Sequence, residues 1–194
     1  MGVGSVQERR KWGTIPAKYA NVVLDLDTAN PKLVLSADGK VVRMGNNPQS
    51  LAGNPSRFDL EPCVLGVEGF NSGRHFWVVE STAGSGWAVG VARQSVPRKS
   101  SLTFNPEKGI WAVLQIFGEF QIHTSPVSTV PLNGHPASIR VYLDYEAGLV
   151  AFYDAENETL IFNFTTSFEG EKIFPFFAVW GSRAEIRLVP PDAE

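Results

Sequence analysis

The chain has 194 residues, of which 43% are hydrophobic and 11% aromatic, and its formal net charge is −3. This length and hydrophobic content suit one domain with a sizeable core. The slightly acidic charge offers no basic field for nucleic acid or an anionic membrane surface, and no apolar run is long enough to span a bilayer. We therefore expect neither nucleic-acid binding nor direct membrane insertion.

The sequence contains one cysteine, Cys63, which excludes a disulfide within the chain. An apolar, unpaired thiol favours a reducing compartment, and we expect a cytoplasmic protein with Cys63 buried. Residues 1–5 have the composition of an expression leader, so we expect residues 6–194 to form the single domain, cut from a longer protein.

The N-terminal part carries the helical signal of the chain. The charged segment from Val6 to Lys18 predicts one short helix that is broken near Pro16. The next segment, residues 21–27, alternates between apolar and polar residues. That alternation predicts a strand with Val22, Leu24 and Leu26 on one side.

Strand and turn patterns then continue to the end of the chain. The predicted strands cover residues 33–35, 41–42, 75–81, 86–92, 110–117, 120–123, 139–144, 149–153, 159–164, 174–179 and 185–189. About a dozen short strands separated by turn residues are typical of a β-sandwich of antiparallel sheets. We therefore predict an all-β fold.

Two carboxylates, Asp144 and Glu146, are two positions apart, as in a hydrolase that uses a carboxylate pair. They stand where a strand enters a turn at Glu146-Ala147-Gly148, which favours hydrogen bonds to turn amides instead. The three histidines, His75, His123 and His135, have no cysteine or carboxylate at ligand spacing. We predict no catalytic residue, no metal site and no cofactor.

Four long irregular segments carry the residue types that dominate binding energy. They cover residues 42–62, 93–109, 117–132 and 180–185, and their candidate residues are Arg57, Arg93, Phe104, Phe120, His123, Trp180 and Arg183. Irregular loops on a rigid sandwich are a usual place for recognition, and tryptophan and arginine are frequent hot spots. Phe104 and Phe120 could equally be core residues beneath these loops.

Several ordered motifs resemble the PRY-SPRY domain of tripartite-motif (TRIM) and butyrophilin proteins. Leu-Asp-Leu-Asp at residues 24–27 resembles the PRY opening, and Gly-Arg-His-Phe-Trp-Val-Val-Glu at residues 73–80 is similar to the family's GRHYWEVE. Leu-Asp-Tyr-Glu at residues 143–146 and Phe-Pro-Phe-Phe at residues 174–177 follow in the family's order. The resemblance places the PRY part at about residues 19–66 and the SPRY part at about 67–190.

The resemblance implies a bent β-sandwich that binds proteins or peptides through variable loops and has no catalytic activity. In TRIM proteins such a domain selects substrates for a RING ubiquitin ligase, and in butyrophilins it is the cytosolic end of a receptor. This chain has no RING cysteines, so ligase activity would belong to another part of a parent protein. The isolated domain would be a monomer, and a TRIM parent would be a coiled-coil dimer.

The family's binding positions transfer only in part. Leu114 and Ile116 stand where the antibody-binding branch has two tryptophans, and Phe104 matches an aromatic wall in the branch that reads a C-terminal glutamine. His75 and Lys99 match the butyrophilins that sense phosphorylated small molecules, which is the alternative function. In that branch arginines are expected where this chain has Gln121, Ser128 and Val179.

We therefore predict a preformed apolar groove built around Leu114, Ile116, Phe120 and Trp180. Arg57, Arg93 and Arg183 are expected at its rim, where they would orient a carboxylate or an acidic partner.

Overall fold

The computed structural model describes residues 17–82, 86–124, 127–130, 136–181 and 183–190, which form two packed β-sheets. The strands are β1 (Lys18–Tyr19), β2 (Leu33–Leu35), β3 (Val41–Met44), β4 (Cys63–Leu65), β5 (Arg74–Ser81), β6 (Gly86–Arg93), β7 (Ile110–Ile116), β8 (Glu119–Ile122), β9 (Ser128–Val130), β10 (Ser138–Asp144), β11 (Leu149–Asp154), β12 (Thr159–Thr165), β13 (Ile173–Trp180) and β14 (Glu185–Val189). The helical content of these residues is one 3₁₀ turn, Pro106–Lys108. The all-β sandwich predicted from the sequence is confirmed.

The eight-stranded sheet has the order β12-β11-β10-β5-β14-β3-β2, with β1 added in parallel to β5. The six-stranded sheet has the order β4-β13-β6-β7-β8-β9. Its neighbouring strands are all antiparallel. This sheet carries the candidate site, because most of the predicted binding residues lie on its strands or on the loops beside it.

The main core fills the space between the sheets. Alternate residues of the central strands point inward, among them Trp77 on β5, Trp87 on β6 and Trp111 on β7, each 1% exposed. A large buried aromatic contributes several kcal/mol of burial free energy, at about 25 cal/mol per Å². These tryptophans fix the position of the six-stranded sheet against the other one.

A second buried cluster covers the outer face of the six-stranded sheet. Residues of β4, β6, β7 and β13 contribute its base, and the segments before β4 and between β6 and β7 fold over it. Its largest members are Phe58, Phe104, Leu114 and Phe176. Both faces of this sheet are therefore apolar, and the loop between β6 and β7 is packed on the sheet.

The structure corrects several details near the N-terminus. The helix predicted for residues 6–18 falls mostly outside the described residues, and its last residue, Lys18, begins β1 instead. Residues 21–27 do not form the predicted strand: Leu24 makes a single bridge to Gly66, and a turn begins at Leu26. The Asp25 carboxylate accepts a hydrogen bond from the Asp27 amide, and this local turn leaves Leu26 exposed.

Candidate functional site

The outer face of the six-stranded sheet is organised in rows that cross the strands. One row runs from Cys63 on β4 through Ala178, Ala88 and Leu114 to Gln121 on β8. The next row runs through Trp180, Gly86, Ile116 and Glu119. Residues opposite one another on neighbouring strands share a face, so each row is a set of side-chain neighbours.

Trp180 lies at the end of β13 and leans over the backbone of Gly86. A Cβ atom at Gly86 would lie 3.3 Å from Cε3 of the indole, so the missing side chain provides the space for the ring. Phe104 supports the indole from the loop between β6 and β7, with ring centroids 5.4 Å apart. Trp180 is therefore held in place by packing and remains half-buried.

The predicted groove residues fall into two groups by exposure. Phe104 and Leu114 are buried in the outer cluster, at 6% and 1% exposure. Ile116 and Trp180 pack against the same cluster but are half-buried. A partner could reach Ile116 and Trp180, while Phe104 and Leu114 form the floor that holds them.

Polar side chains continue this face along β8. The Gln121 side chain lies between Glu119 and His123, with Nε2 3.5 Å from Glu119 Oε2 and Oε1 3.0 Å from His123 Nε2. Partial burial lowers the pKa of His123, because it disfavours the charged ring. His123 is therefore neutral at pH 7 and can exchange hydrogen bonds with Gln121 or with a partner.

A shallow cleft borders this polar edge. It is lined by Asn105, Pro106, Glu107 and Thr124. The Asn105 side chain accepts a hydrogen bond from the Lys108 amide and caps the 3₁₀ turn, while the exposed Glu107 adds negative charge beside the cleft. The cleft joins the loop after β6 to the end of β8.

Phe120 does not belong to the groove in which the sequence placed it. It lies opposite Gln115 and points into the space between the sheets, where it is 2% exposed and meets Trp87 edge-on at 5.6 Å. Successive residues of a strand point to opposite faces, so Phe120 and Gln121 cannot share one. Of the two alternatives for Phe120, the core position is correct.

Arg57 is buried rather than at the rim. Its guanidinium donates hydrogen bonds to the carbonyl oxygens of Ala52, Leu26 and Ala29 at 3.0, 2.7 and 2.8 Å, and the residue is 4% exposed. These bonds tie together the turns of the PRY part. The predicted rim position of Arg57 is wrong, because the residue is buried and its Nε and Nη1 groups are bonded to these carbonyl oxygens.

The other two arginines predicted at the rim, Arg93 and Arg183, lie in different parts of the structure. The Arg93 guanidinium lies 5.1 Å from the Trp111 ring centroid and donates to Glu171 Oε2 at 3.5 Å. Arg93 is seven residues along β6 from Gly86, a distance of about 23 Å in a strand, so it is remote from Trp180. Arg183 is exposed in the loop that follows Trp180, and its role at the rim stays a prediction.

One exposed aromatic residue was missed by the sequence argument. Phe117 and Gly118 form the two-residue turn between β7 and β8, with φ values of 49° and 82°, and Phe117 is 85% exposed. Positive φ at both positions is the signature of a type I′ hairpin, for which asparagine and glycine are the usual residues. The available signal was a phenylalanine directly before Gly118, at the end of the predicted strand 110–117.

The two carboxylates considered for hydrolysis serve the hairpin between β10 and β11. Asp144 Oδ1 accepts the Ala147 amide at 3.1 Å, and Asp144 Oδ2 accepts Arg74 Nε at 3.2 Å. Glu146 Oε1 accepts the Gly73 amide at 2.8 Å. The predicted hydrogen bonds to the turn are confirmed for Asp144, and Glu146 binds the neighbouring turn.

Metal ligands and membrane-spanning helices were not expected in this chain, and the described residues are considered for both. No group of three or more histidine, cysteine or carboxylate side chains is arranged there to hold a metal ion. None of its helices is long and apolar enough to cross a membrane. His135 lies outside this part of the chain.

Comparison with known proteins identifies the family. The model of the SPRY-associated domain, PRY, matches residues 22–70, and the model of the SPRY domain matches residues 74–190. Human butyrophilin subfamily 2 member A2 is 40% identical over 186 residues, which cover 95% of this chain and 35% of the relative. Pig E3 ubiquitin-protein ligase TRIM15 is 47% identical over 161 residues, which cover 82% of this chain and 35% of the relative.

Solved structures agree with the fold. The TRIM65 PSpry domain superimposes with a TM-score of 0.77 at 22% identity, over 95% of this chain and 96% of that one. Stonustoxin matches with a TM-score of 0.78 at 25% identity, over 88% of this chain and 29% of that one. The chain spans about a third of the length of the curated relatives above. It belongs to the PRY-SPRY family and is a PRY-SPRY domain of the TRIM and butyrophilin type.

Proposed function

We propose that this domain selects the protein partner of a larger TRIM-type ubiquitin ligase or butyrophilin-like protein. A SPRY domain is a protein-interaction module. The partner segment would bind the outer face of the six-stranded sheet at the ends of β7, β8 and β13. The observation that carries this proposal is the half-buried Trp180 beside Ile116, held by Phe104 on a rigid sheet.

Packing explains why this position suits recognition. A tryptophan that is already held by its neighbours loses little side-chain entropy when a partner covers it. Phe104 and Leu114 form a dense, buried support below it. Aromatic residues in such settings are the ones whose truncation costs most in interfaces. The exposed part of Trp180 therefore has both the area and the preorganisation of a binding anchor.

The polar groups next to Trp180 are suited to orienting a bound partner, not to catalysis. Gln121 and His123 can donate or accept hydrogen bonds at the edge of the apolar surface. Asp144 and Glu146 are already bonded to turn amides on the other sheet. We infer a non-enzymatic role for the domain, with any ligase activity supplied by another part of a parent protein.

The alternative, a sensor of phosphorylated small molecules, finds no support in the geometry. His75 lies on β5 of the eight-stranded sheet, whereas Gln121 lies on β8 of the other sheet. Lys99 donates to the carbonyl oxygens of Asn54 and Arg57 at 2.6 and 2.9 Å. Val179 is fully buried. A basic pocket for a pyrophosphate would need several free cations in one place.

The test is a comparison of protein capture by the wild-type domain and by Trp180→Ala. We expect Trp180→Ala to weaken binding of a captured partner by about 2 kcal/mol, close to thirtyfold, since it removes a hot-spot aromatic. Leu160→Ala is the matched control, because Leu160 is a 42% exposed apolar residue on β12 of the other sheet. If wild type and Trp180→Ala bind every captured protein with equal affinity, the partner does not bind at this face.

A further inference from the structure

The row that contains Trp180 ends in a carboxylate. Trp180, Gly86, Ile116 and Glu119 follow one another across β13, β6, β7 and β8. Neighbouring strands are about 4.8 Å apart, so Glu119 lies one strand from Ile116 and about 14 Å from Trp180, measured across the strands. Because Gly86 has no side chain, the surface between the indole and Glu119 is formed by Ile116.

Glu119 lies outside the ion pairs that the described residues form. It is exposed, and no lysine or arginine of the described residues forms an ion pair with it. Its carboxylate accepts a long hydrogen bond of 3.5 Å from Gln121 Nε2. A carboxylate next to exposed apolar area, without an ion pair among the described residues, is available to an incoming positive charge.

The arginines that would have favoured an acidic partner are absent from this edge. Arg57 is buried against carbonyl oxygens, and Arg93 is paired with Glu171 at the far end of β6. The exposed Arg183 follows three residues after Trp180, which stands at the opposite end of the row from Glu119. Glu119 is therefore the charged side chain at the β8 end of this row.

We propose that the partner segment places a lysine or arginine side chain over Ile116, with its cation paired to Glu119. The aliphatic stem of such a residue would pack on Ile116 and Trp180 while the charged end stays near solvent. Exposed ion pairs add little affinity, so Trp180 supplies most of the binding and Glu119 supplies the preference for a basic residue. This inference rests on the proposed function and names the chemistry of its partner.

The experiment measures binding of labelled peptide pools that are random except for a fixed central residue. One pool has arginine at the centre, one lysine, one leucine and one glutamate. We expect the basic pools to bind the wild-type domain about tenfold more tightly than the glutamate pool, as expected for complementary against like charge. Glu119→Gln should remove most of that preference, and Glu119→Lys should reverse it.

Glu156→Gln is the matched control, because Glu156 is exposed in the turn between β11 and β12. It carries the same change of charge away from the site and should keep the wild-type preference. If Glu119→Gln keeps that preference too, the role of Glu119 is overturned.

The outcomes also separate this inference from the proposed function. The leucine or glutamate pool could bind more tightly than the basic pools, and Trp180→Ala could abolish that binding. This result would overturn the inference of a basic partner residue but would still support the recognition face. Failure of every pool to bind would overturn the inference for short segments, while protein capture with Trp180→Ala would still decide the proposed function.

Discussion

Trp180 and Phe104 lie with their ring centroids 5.4 Å apart and their planes tilted by 39°. The contact joins the end of β13 to the loop between β6 and β7, and Phe104 also meets Phe176 at 5.6 Å. The loop therefore takes part in the fold and positions the exposed tryptophan from below. Loss of this support would affect stability and recognition together.

Truncation of Phe104 tests that relationship. We expect Phe104→Ala to lower the free energy of unfolding by about 3–5 kcal/mol, because it leaves a cavity where a large aromatic was buried. Phe104→Leu keeps most of the apolar volume and should cost clearly less. Urea unfolding of the three proteins measures the difference. An unchanged midpoint in Phe104→Ala would show that the ring is not part of the outer cluster.

Trp77 is a second test, in the core between the sheets. Phe70 stacks on Trp77 with centroids 6.2 Å apart, and Trp77 is 1% exposed, so Trp77→Ala should cost about 3–5 kcal/mol. The indole Nε1 has no hydrogen-bond partner among the described residues. Trp77→Phe should therefore be much milder, since it removes an unpaired donor along with some volume. Equal losses in the two variants in urea unfolding would contradict this.

Much of the fold could be predicted from local patterns. Strands such as β5, β6 and β14 combine branched or aromatic residues with flanking turn signals, and their bounds follow from those signals. Short strands were missed because they lack such a pattern. Ser128–Val130 has one apolar residue, and Cys63–Leu65 is apolar throughout, as expected for a strand whose three residues are all buried.

The site was less predictable, because it depends on which face each residue occupies. Phe120 and Leu114 are both apolar residues near one hairpin, but the register sends them to opposite faces of the sheet. The sequence suggests that Arg57 is a surface charge, whereas hydrogen bonds to the distant carbonyl oxygens of Leu26 and Ala29 hold it inside. Such contacts join residues that are remote in sequence, and local patterns do not encode them.

Replacement of Phe117 by asparagine should increase the stability of the domain. An L-residue in the left-handed region costs about 1–2 kcal/mol, and asparagine tolerates that region better than phenylalanine. Phe117→Asn should therefore raise the free energy of unfolding by about 1 kcal/mol, because the exposed ring contributes little to the fold. Thermal unfolding measures this as a higher Tm.

Val67→Asn is the control for Phe117→Asn, since Val67 is 57% exposed but is not among the residues with positive φ. It should change stability by less than about 0.5 kcal/mol. A lower Tm in Phe117→Asn would mean that the phenylalanine ring stabilises the hairpin by packing, contrary to its exposure.

The contacts of Glu171, near the end of β6 that is remote from Trp180, predict that the free energy of unfolding depends on pH. Burial acts to raise the pKa of this carboxyl, but hydrogen bonds from Ser95 and Arg93 outweigh it and hold the pKa below its ordinary value. The Ser95 amide donates to Glu171 Oε1 at 2.7 Å. A carboxyl with a lowered pKa stabilises the folded state above its unfolded pKa of about 4.3, and this contribution is lost as the pH falls through the folded value.

The comparison that measures this is urea unfolding of wild type and Glu171→Gln from about pH 3 to pH 7. The wild-type advantage should be constant above about pH 5 and shrink at lower pH, because protonation removes the charge that Ser95 and Arg93 stabilise. Glu169→Gln removes one charge from an exposed neighbour and should retain the wild-type profile. The wild-type protein could instead keep its higher free energy of unfolding unchanged down to about pH 3. That result would show that the charge of Glu171 does not contribute to stability.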